Sequence, residues 1–205
     1  MPTDDALAPR PPGPACGPPT QSDMPPRDPA VDAALLDPER QFLGCLLQLP
    51  ASAARSLLAG ICPDDLITPM SAFVLELVID VVASDRDPTP GLVLGHAVTT
   101  GRAGGEQQHA WLGHELITLY QAAPVPLTGK HYKALILEAA WRRALRFYAT
   151  RLQQAAESSA ADVLATIYAE RSTVDAVYSR YRAAAEPESW PAVLSTLRTG
   201  SRPAA

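Results

Sequence analysis

The chain has 205 residues, 47% of them apolar, with a formal net charge of −5 and three cysteines. That length holds one domain of roughly 100 to 150 residues plus tails, with enough apolar content to build a core without disulfides or metal. The acidic balance excludes a uniformly basic nucleic-acid binder, and no uncharged apolar run approaches the roughly eighteen residues of a membrane-spanning helix.

The charge is unevenly placed. Between Thr128 and Ala184 nine Lys or Arg stand against five acids, a local +4 that leaves −9 for the rest. Fifteen of the 17 basic residues are arginine, and alanine and proline abound, which reads as coding bias before chemistry. Cys16, Cys45 and Cys62 cannot all pair with one another. The latter two sit among leucine and isoleucine, where a free thiol acts as a small hydrophobe, so the expectation is a reducing, cytoplasmic setting. The opening MPTDDALAPRPPGP carries acids at once and has neither a basic n-region nor an apolar h-region, so no export signal is expected there.

In chain order, residues 1–30 contain ten of the 21 prolines, in stretches such as PRPPGP and CGPPT. Proline removes backbone donors and favours extended polyproline conformations, so this segment is expected to be a disordered tail, with a PxxP ligand as the functional alternative. A small helical head is expected over 31–127. Its first helix lies in DPERQFLGCLLQL, residues 37–49, with Asp37 as cap, Pro38 in the first turn and Glu39 at the positive end of the dipole. Phe42, Leu43, Leu46, Leu47 and Leu49 make it apolar over most of its circumference, so other elements must cover it. ASAARSLLAG gives a second helix ended by Gly60. Thr68 and Pro69 form a cap and first-turn pair for a helix with Met70, Phe73, Val74, Leu77, Val78 and Val81 on one face. Thr89 and Pro90 repeat that start for a helix carrying Val93, Leu94, Ala97 and Val98. The segment EQQHAWLGHELITLYQAAP places Trp111, Leu112, Leu116 and Leu119 near one face, and Pro124 and Pro126 end it. No run of alternating residues suggests a sheet.

The character changes at Thr128. No proline occurs from about Gly129 to Glu157 or from Asp162 to Ala184, so two long helices joined by ESSAAD form an antiparallel hairpin over 128–184, packed in one domain with the head. Ser159 and Asp162 have capping-box spacing. The first arm carries two apolar rows, Tyr132, Leu135, Ile136 and Ala139 on one side and Leu137, Trp141, Leu145, Tyr148 and Leu152 on the other. In the second arm Val163, Ile167, Glu170, Val174, Val177 and Tyr181 are spaced 4, 3, 4, 3, 4, the seam of a coiled coil with one acid in it. The fold class is therefore all-α, a small helical head followed by a long antiparallel hairpin. Residues 185–205 are expected to be a flexible tail, although Trp190, Leu194 and Leu197 have the spacing of a short docking helix.

Catalytic chemistry finds little footing. His114 and Glu115 open an HExxH frame, but Thr118 stands where the second ligand belongs, and His96, His109 and His131 are scattered. No GxSxG occurs, and Gly129-Lys130 lacks the upstream glycine and following Ser or Thr of a phosphate-cradling loop. The GRAGGE turn reads as an inter-helix loop. No catalytic residue, cofactor or metal is expected. Arg142, Arg143, Arg146 and Arg151, with Lys130 and Lys133, give the first arm a basic stripe that either contacts nucleic-acid phosphates or forms a solvated or partner-facing edge. The edge is the favoured reading, because no aromatic residues alternate with these arginines on an exposed face.

Four stretches, taken together and in order, resemble the N-terminal domain of DnaB-type replicative DNA helicases: PERQFLGCLL; DDLITPMSAFVLELV; DPTPGLVLGHAVTTGR; and WLGHELITLYQAAPVPLTGKHYKALILEAAWRRALRFYATRLQQA. The resemblance spans Pro38 to Ala184. It departs at Arg40, where the family more often has a neutral or acidic residue, and around Leu66 to Met70, where a Phe-Tyr-then-His region is not visible. The family also continues through a linker into an ATPase, of which no Walker motif is seen here. The resemblance implies hairpins that pair into dimers and build a ring, and a domain that receives primase or loader proteins. The expected function is thus a non-enzymatic replication module that binds itself and a replicative helicase or primase. Its interface is expected at Trp141, Leu145, Tyr148, Leu152, Val163, Ile167, Val174, Val177, Tyr178 and Tyr181. The alternatives are a small DNA-binding or regulatory protein using Arg142, Arg143, Arg146 and Arg151, and a truncated replicative helicase.

Overall fold

The Asp37 carboxylate accepts a hydrogen bond from the Glu39 amide at 3.1 Å and so starts the first helix, α1 (Pro38–Leu47). The computed structural model describes residues 36–186; the proline-rich segment 1–30, with Cys16, and the tail beyond Glu186 lie outside the described residues. Every residue from Gln41 to Leu47 is buried. A ten-residue helix with apolar groups all round needs neighbours on several sides, and α1 has them in α3 (Pro69–Ala83), α5 (Glu106–Ala122) and α6 (Gly129–Ser158). Phe42, Leu43, Leu46 and Leu47, each at most 1% exposed, contribute about 1.5–3 kcal/mol apiece by leaving water.

Around this axis α2 (Ala51–Leu58) buries Ala54 and Leu57 and ends at Gly60, whose φ of +79° is a left-handed conformation that glycine adopts without a Cβ clash. Next, α3 buries Val74, Leu75, Leu77, Val78, Val81 and Val82, more of its circumference than a single apolar face. Then α4 (Pro90–Thr99) contributes Val93 and Ala97, and α5 contributes Leu112, Leu116 and Leu119. Trp111 does not share that buried face: it is 44% exposed, because Leu112, Leu116 and Leu119 define the core stripe and a residue one position earlier is rotated by about 100°. Among the described residues there is no strand.

Thr68 and Thr89 occupy the N-cap positions of α3 and α4, but neither hydroxyl caps its helix. Just before α3 the buried Glu39 carboxylate reaches over from α1, accepting from the amides of Ile67 and Thr68, the latter at 3.2 Å. An anion at the start of a helix is favourable, and here it also ties two elements together. Glu39→Ala should therefore lower stability by about 1–3 kcal/mol, since two amides lose their acceptor. A thermal melt within a degree of the parent would contradict that role.

From Thr128 the chain runs into the 30-residue α6, about 45 Å long. Its first turns belong to the head: Ile136, Leu137 and Ala140 are buried and the first two join the same core as α1, α3 and α5. The chain then returns through α7 (Ala161–Ala169) and α8 (Arg171–Ala185), antiparallel to α6. Here the expectation of one continuous second arm is corrected. The arm breaks at Glu170, where the Glu170 amide bonds the Ile167 carbonyl at 3.1 Å and the Thr173 amide bonds the Glu170 carbonyl at 3.0 Å. These are i to i+3 bonds of a tightened turn. The turn falls at the acid that the seam spacing left inside it, and Glu170 is ion-paired across the hairpin with Arg151. The expected capping box is likewise absent: α6 continues to Ser158, and α7 follows Ala160, in extended conformation and without a side-chain cap. Between Ala144 and Glu170 only Ala155 is buried, so the distal hairpin stands away from the head.

Candidate interaction surfaces

The hairpin is clamped to the head at a 3-10 turn, Pro63–Asp65. Asp65 is buried, and its carboxylate accepts from the Cys62 amide at 2.8 Å, the Cys62 thiol at 3.1 Å, and both terminal nitrogens of Arg180 at 2.6 and 3.0 Å. From the other arm, Arg143 Nη2 donates to the Asp65 carbonyl at 2.6 Å. Two parallel bonds from a planar guanidinium to a carboxylate fix geometry as well as charge. The hydrogen bond to Asp65 holds the Arg180 guanidinium above its ordinary pKa, while burial and then Asp65 push the Cys62 thiol up. A thiol with a raised pKa stays protonated near neutrality and is a poor nucleophile. Cys45 is buried beside Thr128, and burial raises its pKa too. Sequence reasoning missed the Asp65–Arg180 pair, whose members are 115 residues apart with no local signal linking them.

The residues expected at an interface divide into three groups. Trp141, Tyr178 and Tyr181 form an aromatic cluster between α6 and α8: Trp141 and Tyr181 stack at 6.1 Å with planes 4° apart, and Trp141 lies 4.9 Å from Tyr178. Tyr148, Leu152, Ile167 and Val177 are half-buried between the arms, with the Tyr148 hydroxyl donating to the Tyr168 carbonyl at 3.2 Å; Val174 is buried within the single chain. Leu145 and Val163 face outward, 43% and 45% exposed. Phe147 and Tyr168, at 66% and 59%, are more exposed still. Neither belongs to the rows or seam read from the sequence. An aromatic off both apolar rows of a helix is the signal that would have found Phe147.

Half of the four-arginine stripe is engaged in tertiary contacts. Arg143 holds the Asp65 turn, Arg151 pairs with Glu170 and lies 5.7 Å from the Phe147 ring, and Arg146 Nε donates to the Arg142 carbonyl. Arg142 bonds Glu138 at 2.5 Å one turn back and is largely exposed. Lys133 donates to the Ala59 carbonyl at 2.5 Å, and burial lowers its pKa. Two of the four arginines are thus turned to tertiary contacts.

On the head, Met70, Phe73, Ala103, Trp111 and Leu112 line an open apolar groove of about 350 Å³. Arg102 covers one side, 5.3 Å from the Phe73 ring and paired with Glu76 and Asp80. The groove has no nucleophile with an adjacent base. His96 Nε2 lies 3.4 Å from Asp80, and among the described residues no group of three or more His, Cys, Asp or Glu is placed to hold a metal ion. Nor does any described helix have the length and apolarity to cross a membrane.

No protein-family model matches the chain, and no curated protein matches its sequence. Among solved structures its fold is similar to the crystal structure of the N-terminal domain of DnaB helicase from Mycobacterium tuberculosis. The two are 24% identical with a TM-score of 0.54, over 66% of this chain and 94% of that one.

Proposed function

We propose, from a fold shared with the N-terminal domain of a DnaB helicase, that this chain is a non-catalytic assembly module of DNA replication. Its hairpin binds a second copy of the chain, in a dimer or higher ring, and the assembly contacts a replicative helicase, a primase or a loader. The observation that carries this reading is the distal hairpin, which leaves the head and presents Leu145, Phe147, Val163 and Tyr168 to solvent on α6 and α7. Large apolar side chains left in water on a projecting element mark an interaction surface. The engaged arginines weigh against nucleic acid as the main partner, because phosphate binding needs cations whose own neighbours do not already satisfy them.

Sedimentation at tens of micromolar, a range suited to weak dimers, should show self-association. The double variant Phe147→Asp, Tyr168→Asp should sediment as a monomer with unchanged helicity, since both side chains already face water. A monomeric parent, or a double variant that assembles normally, would count against the proposal. Val174→Asp is a poor probe of the same surface: it places a charge at a site 7% exposed inside the hairpin and should unfold the arms instead.

A further inference from the structure

The aromatic cluster at the base of the hairpin is incompletely covered. Tyr178 is 37% exposed, and with Tyr181, Arg182, Ala185 and Glu186 it lines an open groove of about 340 Å³. The groove therefore includes the last residues of α8 and the point where the described chain ends.

We propose that this groove is the docking site of the chain's own C-terminal segment, with Trp190 seated against Tyr178 and Tyr181. At Glu186 the backbone leaves the helix with ψ of 122°, as expected for a residue followed by a proline, here Pro187. Tyr178 lies seven residues before Ala185, about 10 Å back along the helix. Trp190 is four residues beyond Glu186, and four extended residues span about 13 Å, enough to return it to the cluster. Leu194 and Leu197 follow at helical spacing behind it, so one face of the segment can continue the contact. A tethered occupant on so short a linker is present at millimolar effective concentration, which a second copy at cellular levels does not match. Tyrosine and tryptophan rings seat well against one another because offset and tilted pairs add to the area they bury.

The test uses the full chain labelled with 5-fluorotryptophan, its resonances from Trp111, Trp141 and Trp190 assigned by single Trp→Phe variants. Ending the chain after Glu186 should shift the Trp141 resonance and leave Trp111 unmoved. Tyr178→Ala should move Trp190 to the position seen in a free peptide of residues 187–198. If Trp190 already resonates at the free-peptide position in the intact chain, or if truncation leaves Trp141 unmoved, the proposal is overturned. A Trp190 shift that disappears on dilution would assign the groove to the tail of a second copy and overturn docking within one chain. Should Tyr178→Ala lose its helical circular dichroism, the truncation decides alone, since it removes no described residue.

Discussion

Asp65→Ala should lower the unfolding free energy by about 3 kcal/mol, read as a reduced urea midpoint with an unchanged slope. The Asp65 carboxylate is 4% exposed and the Arg180 side chain 31%. Removing one partner of a fully buried ion pair costs about 3–5 kcal/mol, and the access of water to Arg180 places the pair at the lower end. The Cys62 amide and thiol lose their acceptor in the same step, which raises the figure again. The carboxylate is where Arg180 anchors α8 to the turn that precedes α3, so its loss weakens the joint between hairpin and head. The double variant Asp65→Ala, Arg180→Ala should cost clearly less than the sum of the single ones, as groups in direct contact do. A loss below about 1 kcal/mol for Asp65→Ala would show that the clamp is incidental.

Gly44→Ala should destabilise the protein by about 3 kcal/mol, against the helix propensity that by itself favours alanine by about 1 kcal/mol. Gly44 sits in mid-α1, where a glycine normally weakens a helix. A Cβ built there would clash with the Leu119 carbonyl oxygen and lie 2.7 Å from the Ala123 Cβ and 3.2 Å from its Cα. Two of these three are backbone atoms, which no side-chain rotation can clear, so the end of α5 must move away from α1. The packing of Leu43, Leu46 and Leu119 would open with it. A differential scanning calorimetry midpoint equal to or above that of the parent would show that α5 can retreat without strain.

Much of the helical order was determined by local chemistry. Proline in the first turn, an Asp cap at residue 37, glycine at residue 60 and 3.6-residue spacing act over a few residues, so the starts of α1, α3 and α4, the run of α6 and the all-α class follow from the sequence without tertiary information. The same locality explains the misses. Thr68 stands at the N-cap of α3 without capping it, and its own amide is held by Glu39, 29 residues away, a contact no local pattern marks. The break in the second arm falls at Glu170, which Arg151 meets across the hairpin, and the 4, 3, 4, 3, 4 spacing alone did not mark it. The tertiary structure alone divided the apolar hairpin residues, burying Val174 while leaving Phe147 and Tyr168 in water, because periodicity identifies a face but not what lies opposite it. It also decided the arginines. Four of similar appearance in one helix became a clamp on Asp65, a partner for Glu170 and two surface residues, since a guanidinium is committed by the carboxylate or carbonyl that folding brings within reach, and that distance is not written along the chain.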